Sequence, residues 1–108
     1  MRRFTASELK AFLDSQTTAP LLLDVREPWE FTTCHIEGSQ HIPMRQIPAA
    51  VEQEELDQDQ DIVVICHHGI RSRQVAYYLE QHGFEKVINL EGGVEAWAND
   101  VDPTMPRY

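Results

Sequence analysis

The chain has 108 residues, 42% hydrophobic and 25% charged, and its 9 basic against 18 acidic residues give a formal charge of −9 at pH 7. That length suits a single domain spanning 1–108, with a core that needs neither disulfide nor metal staples. The acidic balance repels nucleic acid and anionic lipid, and no apolar run approaches the roughly 18–20 residues of a membrane span. Neither nucleic acid nor a membrane is therefore expected as a partner.

In chain order, Met1-Arg-Arg-Phe-Thr lacks the apolar block of a secretory signal, which predicts a cytoplasmic location. Thr5-Ala-Ser-Glu8 has capping-box spacing ahead of Leu9, Phe12 and Leu13, predicting a short helix to Asp14. "LLLDV" after Pro20 is a compact apolar run ending in charge, as in a strand buried on both faces of a parallel sheet. "PWEFTT" reads as a helical turn with Pro28 in its first turn, and "QHIP" as a short strand stopped by Pro43. Ile47 to Leu56 has helical spacing, and the acidic run to Asp61 ends it as a solvated face. "DIVVIC" is the clearest strand, with four β-branched residues in succession.

From Arg71, "RSRQVAYYLEQHG" predicts an amphipathic helix with Val75, Tyr78, Leu79 and His82 on one stripe and Gly83 at its C-terminal cap. "KVINL" predicts another strand, "GGVEAWA" another short helix, and residues 98–108 a terminal tail. This alternation argues for an α/β fold with a mostly parallel central sheet and helices on both faces.

On that framework Cys66 lies at the carboxyl end of a buried strand and just before a helix, where open α/β sheets place their ligands. The short loop His67-His68-Gly69-Ile70 can turn successive amides inward as an anion nest, backed by the helix N-terminus. Gly69 supplies the conformational freedom such a loop needs. Helix N-termini favour the thiolate form of a cysteine, which makes Cys66 a candidate nucleophile. His67, His68, Gly69, Ile70, Arg71 and Ser72 form the candidate cradle, with Arg71 as an anion contact closing the loop. The histidines are assigned to the cradle rather than to proton transfer. No metal or cofactor is expected, because neighbouring residues rarely converge on one ion and no second ligand pair has zinc-like spacing. Cys34 and Cys66 are expected as free thiols.

Four blocks carry a resemblance: "LLLDVREPWEF", "CHIEGSQHIP", "VVICHHGIRS" and "VINLEGGVEAW". In this order they resemble the single-domain rhodanese, or thiosulfate sulfurtransferase, family. The resemblance implies a three-layer α/β fold and Cys66 as the sulfur carrier. It implies transfer of a sulfane sulfur from thiosulfate, or from a protein persulfide, to a thiol or cyanide through a Cys66 persulfide. Asp24 and Arg26 match the family's charged cluster after its first long strand, and Asp24, Arg26 and Glu30 are assigned as a salt-bridged support for the loop. Cys34 departs from the pattern, standing where many relatives have glycine, and is a candidate second thiol. The tail "VDPTMPRY" resembles the ending of some rhodanese modules of sulfur-carrier pathways, and a tyrosine packing over the fold explains it equally well.

Two rival functions remain. A noncatalytic rhodanese-like binding module or sulfur-carrier partner shares the fold, but retention of Cys66 in a glycine-containing loop favours chemistry. A cysteine phosphatase or arsenate reductase uses similar geometry with a longer spacing between cysteine and arginine, which makes a wider cradle.

Overall fold

The computed structural model describes all 108 residues. Its centre is a five-stranded sheet, every pair parallel, in the order β1-β5-β4-β2-β3. The strands are β1 (Arg2–Phe4), β2 (Leu21–Asp24), β3 (Gln40–His41), β4 (Ile62–Ile65) and β5 (Val87–Leu90). The helices are α1 (Ala6–Ser15), α2 (Pro28–Thr33), α3 (Ile47–Glu52), α4 (Ile70–Gln81) and α5 (Gly93–Asp100). No helix is long and apolar enough to cross a membrane.

The central strands are apolar on both faces because both faces are covered. Ile62 and Val64 of β4 pack with Ile47, Ala50, Val75, Ala76 and Leu79 of α3 and α4. Val63 and Ile65, one residue out of step, pack with Ala6, Leu9, Val94, Trp97 and Ala98 of α1 and α5. This is the period-two alternation of a strand, and it assigns α3 and α4 to one layer and α1 and α5 to the other. Fully burying one such side chain contributes about 1.5–3 kcal/mol, so β4, with all four residues at 0% exposure, anchors the sheet.

Local signals explain most element ends. Thr5 and Glu8 cap each other's amides at 3.1 and 2.8 Å and start α1. Pro28 opens α2, where its missing N–H costs nothing. Three expectations change. Residues 2–4 form an edge strand, paired with Ile88–Leu90, where no strand is predicted. The helix predicted to Leu56 stops at Glu52, and Glu54 takes a left-handed φ of 58° that a helix cannot contain. The stretch predicted as tail is helical to Asp100, because Trp97 and Ala98 are buried against the sheet.

Candidate active site

β4 runs directly into Cys66, and the strand's alternation carries its side chain to the α3/α4 face, where it is 1% exposed. The chain must then turn sharply into α4, and it does so at Gly69, the N-cap, with φ 102°. A side chain there would be strained by that φ and crowded, because a Cβ would lie 3.1 Å from the Gly92 nitrogen and 3.3 Å from the Leu90 carbonyl oxygen. The turn brings the Gly69 amide to 3.0 Å from Sγ, and it donates a hydrogen bond to the sulfur.

From the sulfur a closed ring of hydrogen bonds continues. The Cys66 thiol donates to Ser72 Oγ at 3.3 Å, Ser72 donates to Asn89 Oδ1 at 2.5 Å, and Asn89 Nδ2 donates back to the Gly69 carbonyl at 3.3 Å. Asn89 also donates to Glu91 Oε2 at 2.7 Å. Asn89 lies on β5 between Ile88 and Leu90, which face the α1/α5 layer, so its own side chain faces α4 and meets Ser72. Both polar residues are 0% exposed, and the ring gives each a partner that burial would otherwise make expensive to lack.

The amides that follow are available. α4 makes its first bond from Arg73 to the Gly69 carbonyl, so Ile70, Arg71 and Ser72 present N–H groups without an intrahelical acceptor. Of the predicted cradle, residues 67–72, Gly69 alone donates directly to Sγ. The loop's carbonyls go elsewhere: Cys66 and His67 accept from the amides of Val94 and Glu95, the opening turn of α5, at 3.0 and 3.1 Å. That approach demands Gly93, where a Cβ would fall 2.3 Å from the Cys66 carbonyl oxygen.

Two ion pairs stand beside the loop. Asp24 and Arg26, both 0% exposed, pair through both carboxylate oxygens, and Arg26 also donates to the carbonyls of Glu30 and Cys34. Burial opposes the Arg26 charge, but Asp24 more than offsets it, so the guanidinium is held above its ordinary pKa. Glu30 serves a different arginine: Arg71 donates to both its oxygens at 2.7 and 2.8 Å. Arg71 foremost, and the Glu27 amide after it, outweigh burial and hold the Glu30 carboxyl down at about 2. The predicted three-residue support is thus divided, with Asp24 and Arg26 as one pair and Glu30 tied directly to the loop arginine.

Tyr108 links the two pairs. Its hydroxyl accepts from Arg26 at 2.7 Å and donates to Glu30 Oε2 at 2.8 Å, and burial is the main reason its pKa is pushed up to about 12. The Tyr108 ring stacks on His67 at 4.0 Å, and His67 stacks in turn on His68 at 3.9 Å. Burial first, then the neighbouring His68, lower the His67 pKa. Glu95 approaches from α5, its Oε2 lying 3.7 Å from His67 Nε2. Ile70 is 64% exposed, so its side chain lines no cradle and its amide is what it can offer one.

Cys34 is buried and free, and packs with the α1/α5 group, on the sheet face opposite to Cys66. Asn89, Glu95 and Tyr108 were not among the predicted site residues. Asn89 had a readable signal, a lone amide in an otherwise apolar buried strand; the other two arrive only through tertiary packing.

Comparison with known proteins agrees with this fold. The model of the rhodanese-like domain family matches residues 5–100. A probable adenylyltransferase/sulfurtransferase, MoeZ, of Mycobacterium tuberculosis is 36% identical over 104 residues, which is 96% of this chain but 26% of that protein's length. The thiosulfate sulfurtransferase GlpE of Vibrio cholerae is 40% identical over 76 residues, 70% of each chain. Among solved structures, a rhodanese-like domain protein from Staphylococcus aureus superposes with a TM-score of 0.82 at 31% identity, covering 94% of this chain and 95% of that one.

Proposed function

The chain belongs to the rhodanese-like domain family, which includes sulfurtransferases, and from that membership we propose that it moves a sulfane sulfur through a persulfide on Cys66. The observation that carries the reading is the position of Sγ, held by the Gly69 amide and facing an α4 N-terminus whose first amides lack intrahelical acceptors.

In the first half-reaction the Cys66 thiolate attacks the outer sulfur of thiosulfate. The S–S bond of the donor breaks, sulfite departs with the bonding pair, and Cys66 keeps the outer sulfur as a persulfide anion. In the second, a thiol or cyanide attacks that outer sulfur, and the Cys66 thiolate leaves. The thiolate gains the Gly69 hydrogen bond, and a Ser72 hydroxyl turned toward the sulfur can add another. The outer sulfur's charge is met by the spare amides of Ile70, Arg71 and Ser72. These donors are part of the folded backbone, so little reorganisation accompanies the charge.

Arg71 enters as one half of a nearly neutral pair with Glu30, which limits its pull on a dianionic donor. A protein persulfide, with less charge, suits the same mouth, and a cytoplasmic sulfur-carrier route is the setting we propose. Intact mass after exposure to thiosulfate tests the reading: wild type should gain one sulfur atom, cyanide should remove it, and Cys66→Ala should gain none. A folded wild type that takes up no sulfur from thiosulfate or a persulfide donor would favour the binding-module reading instead.

A further inference from the structure

We propose that His67, His68 and Glu95 form a binding site for a late first-row divalent metal ion, of which Zn²⁺ is the probe. The adjacency of two histidines in sequence argues against a shared ion, since nothing nearby completes the set. The fold supplies the missing ligand from α5. One ligand atom from each of the three residues lies within 4.8 Å of the others, and the His67 Nε2 to Glu95 Oε2 separation is 3.7 Å.

Bonds of about 2.0–2.2 Å to a tetrahedral ion put ligand atoms roughly 3.3–3.5 Å apart. The His67–Glu95 pair is nearly at that spacing already. The widest gap needs at most about 1.5 Å of closure, and His68, which is exposed, can supply it by side-chain rotation. The two imidazoles are stacked with their planes 29° apart, so binding requires the exposed His68 ring to turn out of that stack until its lone pair points at the ion.

The scaffold beneath is fixed. The Glu95 amide is bonded to the His67 carbonyl at 3.1 Å, which ties the backbones of two ligands together, and Tyr108 holds the His67 ring from its other side. Two imidazoles and one carboxylate suit zinc, copper(II) or nickel(II), whereas magnesium and calcium require more oxygen ligands. Three protein ligands also leave room for water at an open position. An incoming ion would compete with Arg107, an exposed side chain paired with Glu95.

Titration calorimetry of ZnCl₂ into the Cys66→Ala protein tests the site without the thiol and independently of sulfur transfer. One equivalent should bind with a micromolar Kd, unaffected by excess Mg²⁺. His68→Ala and Glu95→Gln, each added to that background, should weaken binding by about tenfold or more. Arg107→Ala should leave affinity equal or tighter. The proposal is overturned by failure of Zn²⁺ to bind the Cys66→Ala protein at micromolar concentration, by a smaller loss in either ligand variant, or by weaker binding in Arg107→Ala.

Discussion

Two helices present their N-termini to the Cys66 loop, and each is led by a glycine with positive φ: α4 after Gly69 and α5 after Gly92. Their N-termini carry the same complement of free amides, but those amides meet different partners. α5 spends its opening N–H groups on the Cys66 and His67 carbonyls, whereas those of α4 have no intrahelical acceptor and follow the Gly69 amide that donates to the sulfur. In a trans peptide the C=O and the following N–H point in opposite directions. Drawing the loop's carbonyls onto α5 therefore turns the His67 and His68 amides away from it. One terminus holds the loop in shape and the other is free for chemistry.

The largest effect should come from breaking the α5 contact. Gly93→Ala would place a Cβ 2.3 and 2.4 Å from two backbone carbonyl oxygens, and a loss of about 3 kcal/mol or more is expected. At this chain length that lowers Tm by more than about 10 °C, measurable by thermal melting. Gly69→Ala meets its nearest atom at 3.1 Å and should cost less, about 1–2 kcal/mol. Equal melting temperatures for the two variants would erase the distinction between clamp and site.

A middle-sized effect sharpens the α4 side. Arg71→Ala removes two charged hydrogen bonds from the 4%-exposed Glu30, costing about 1.5–3 kcal/mol of stability and weakening use of thiosulfate. If the stability loss comes from stranding the carboxylate, the same change in a Glu30→Gln background should cost clearly less in denaturant unfolding. An unchanged cost would mean that the ion pair contributes nothing.

The smallest effect is a pH dependence confined to acid, with the contribution of Glu30 fully present at neutrality. Glu30 is held at about 2 against an ordinary 4.5, chiefly by Arg71. A lowered carboxyl pKa adds stability that is fully present above the unfolded value and lost as pH falls through the folded one. The stability gap between wild type and Glu30→Gln should thus be level above pH 4.5 and shrink from there toward about 2. Acid titration of both proteins checks this, and a gap that widened on acidification would reverse the sign of the coupling.

Much of the fold was legible because its signals are local. The buried runs of β2, β4 and β5 are apolar throughout or nearly so, and Thr5 with Glu8 marks the start of α1 within four consecutive residues. β1 was not legible: Arg2 and Arg3 are exposed, and only backbone pairing to β5 makes residues 2–4 a strand. The same division runs through the candidate site. Cys66 to Ser72 are contiguous, so their grouping can be read directly. Glu30 reaches Arg71, and Tyr108 reaches both Arg26 and Glu30, only after α2 and the tail have packed around the loop. A charge run such as Asp24 to Glu30 announces pairing, yet its spacing does not say which arginine each carboxylate will choose.

The order of the strands has a consequence for aggregation. Ile62-Val-Val-Ile65 has the β-branched, uncharged composition that self-assembles most readily into cross-chain ribbons. It lies at the middle of the sheet, with β5 on one side and β2 on the other, while the outer rims are a three-residue strand carrying two arginines and a two-residue strand. Rims that short, one of them charged, offer a poor template for another chain. A neighbouring copy reaches the adhesive segment only after β5 or β2 has peeled away, so whatever anchors those two strands also guards against fibrils.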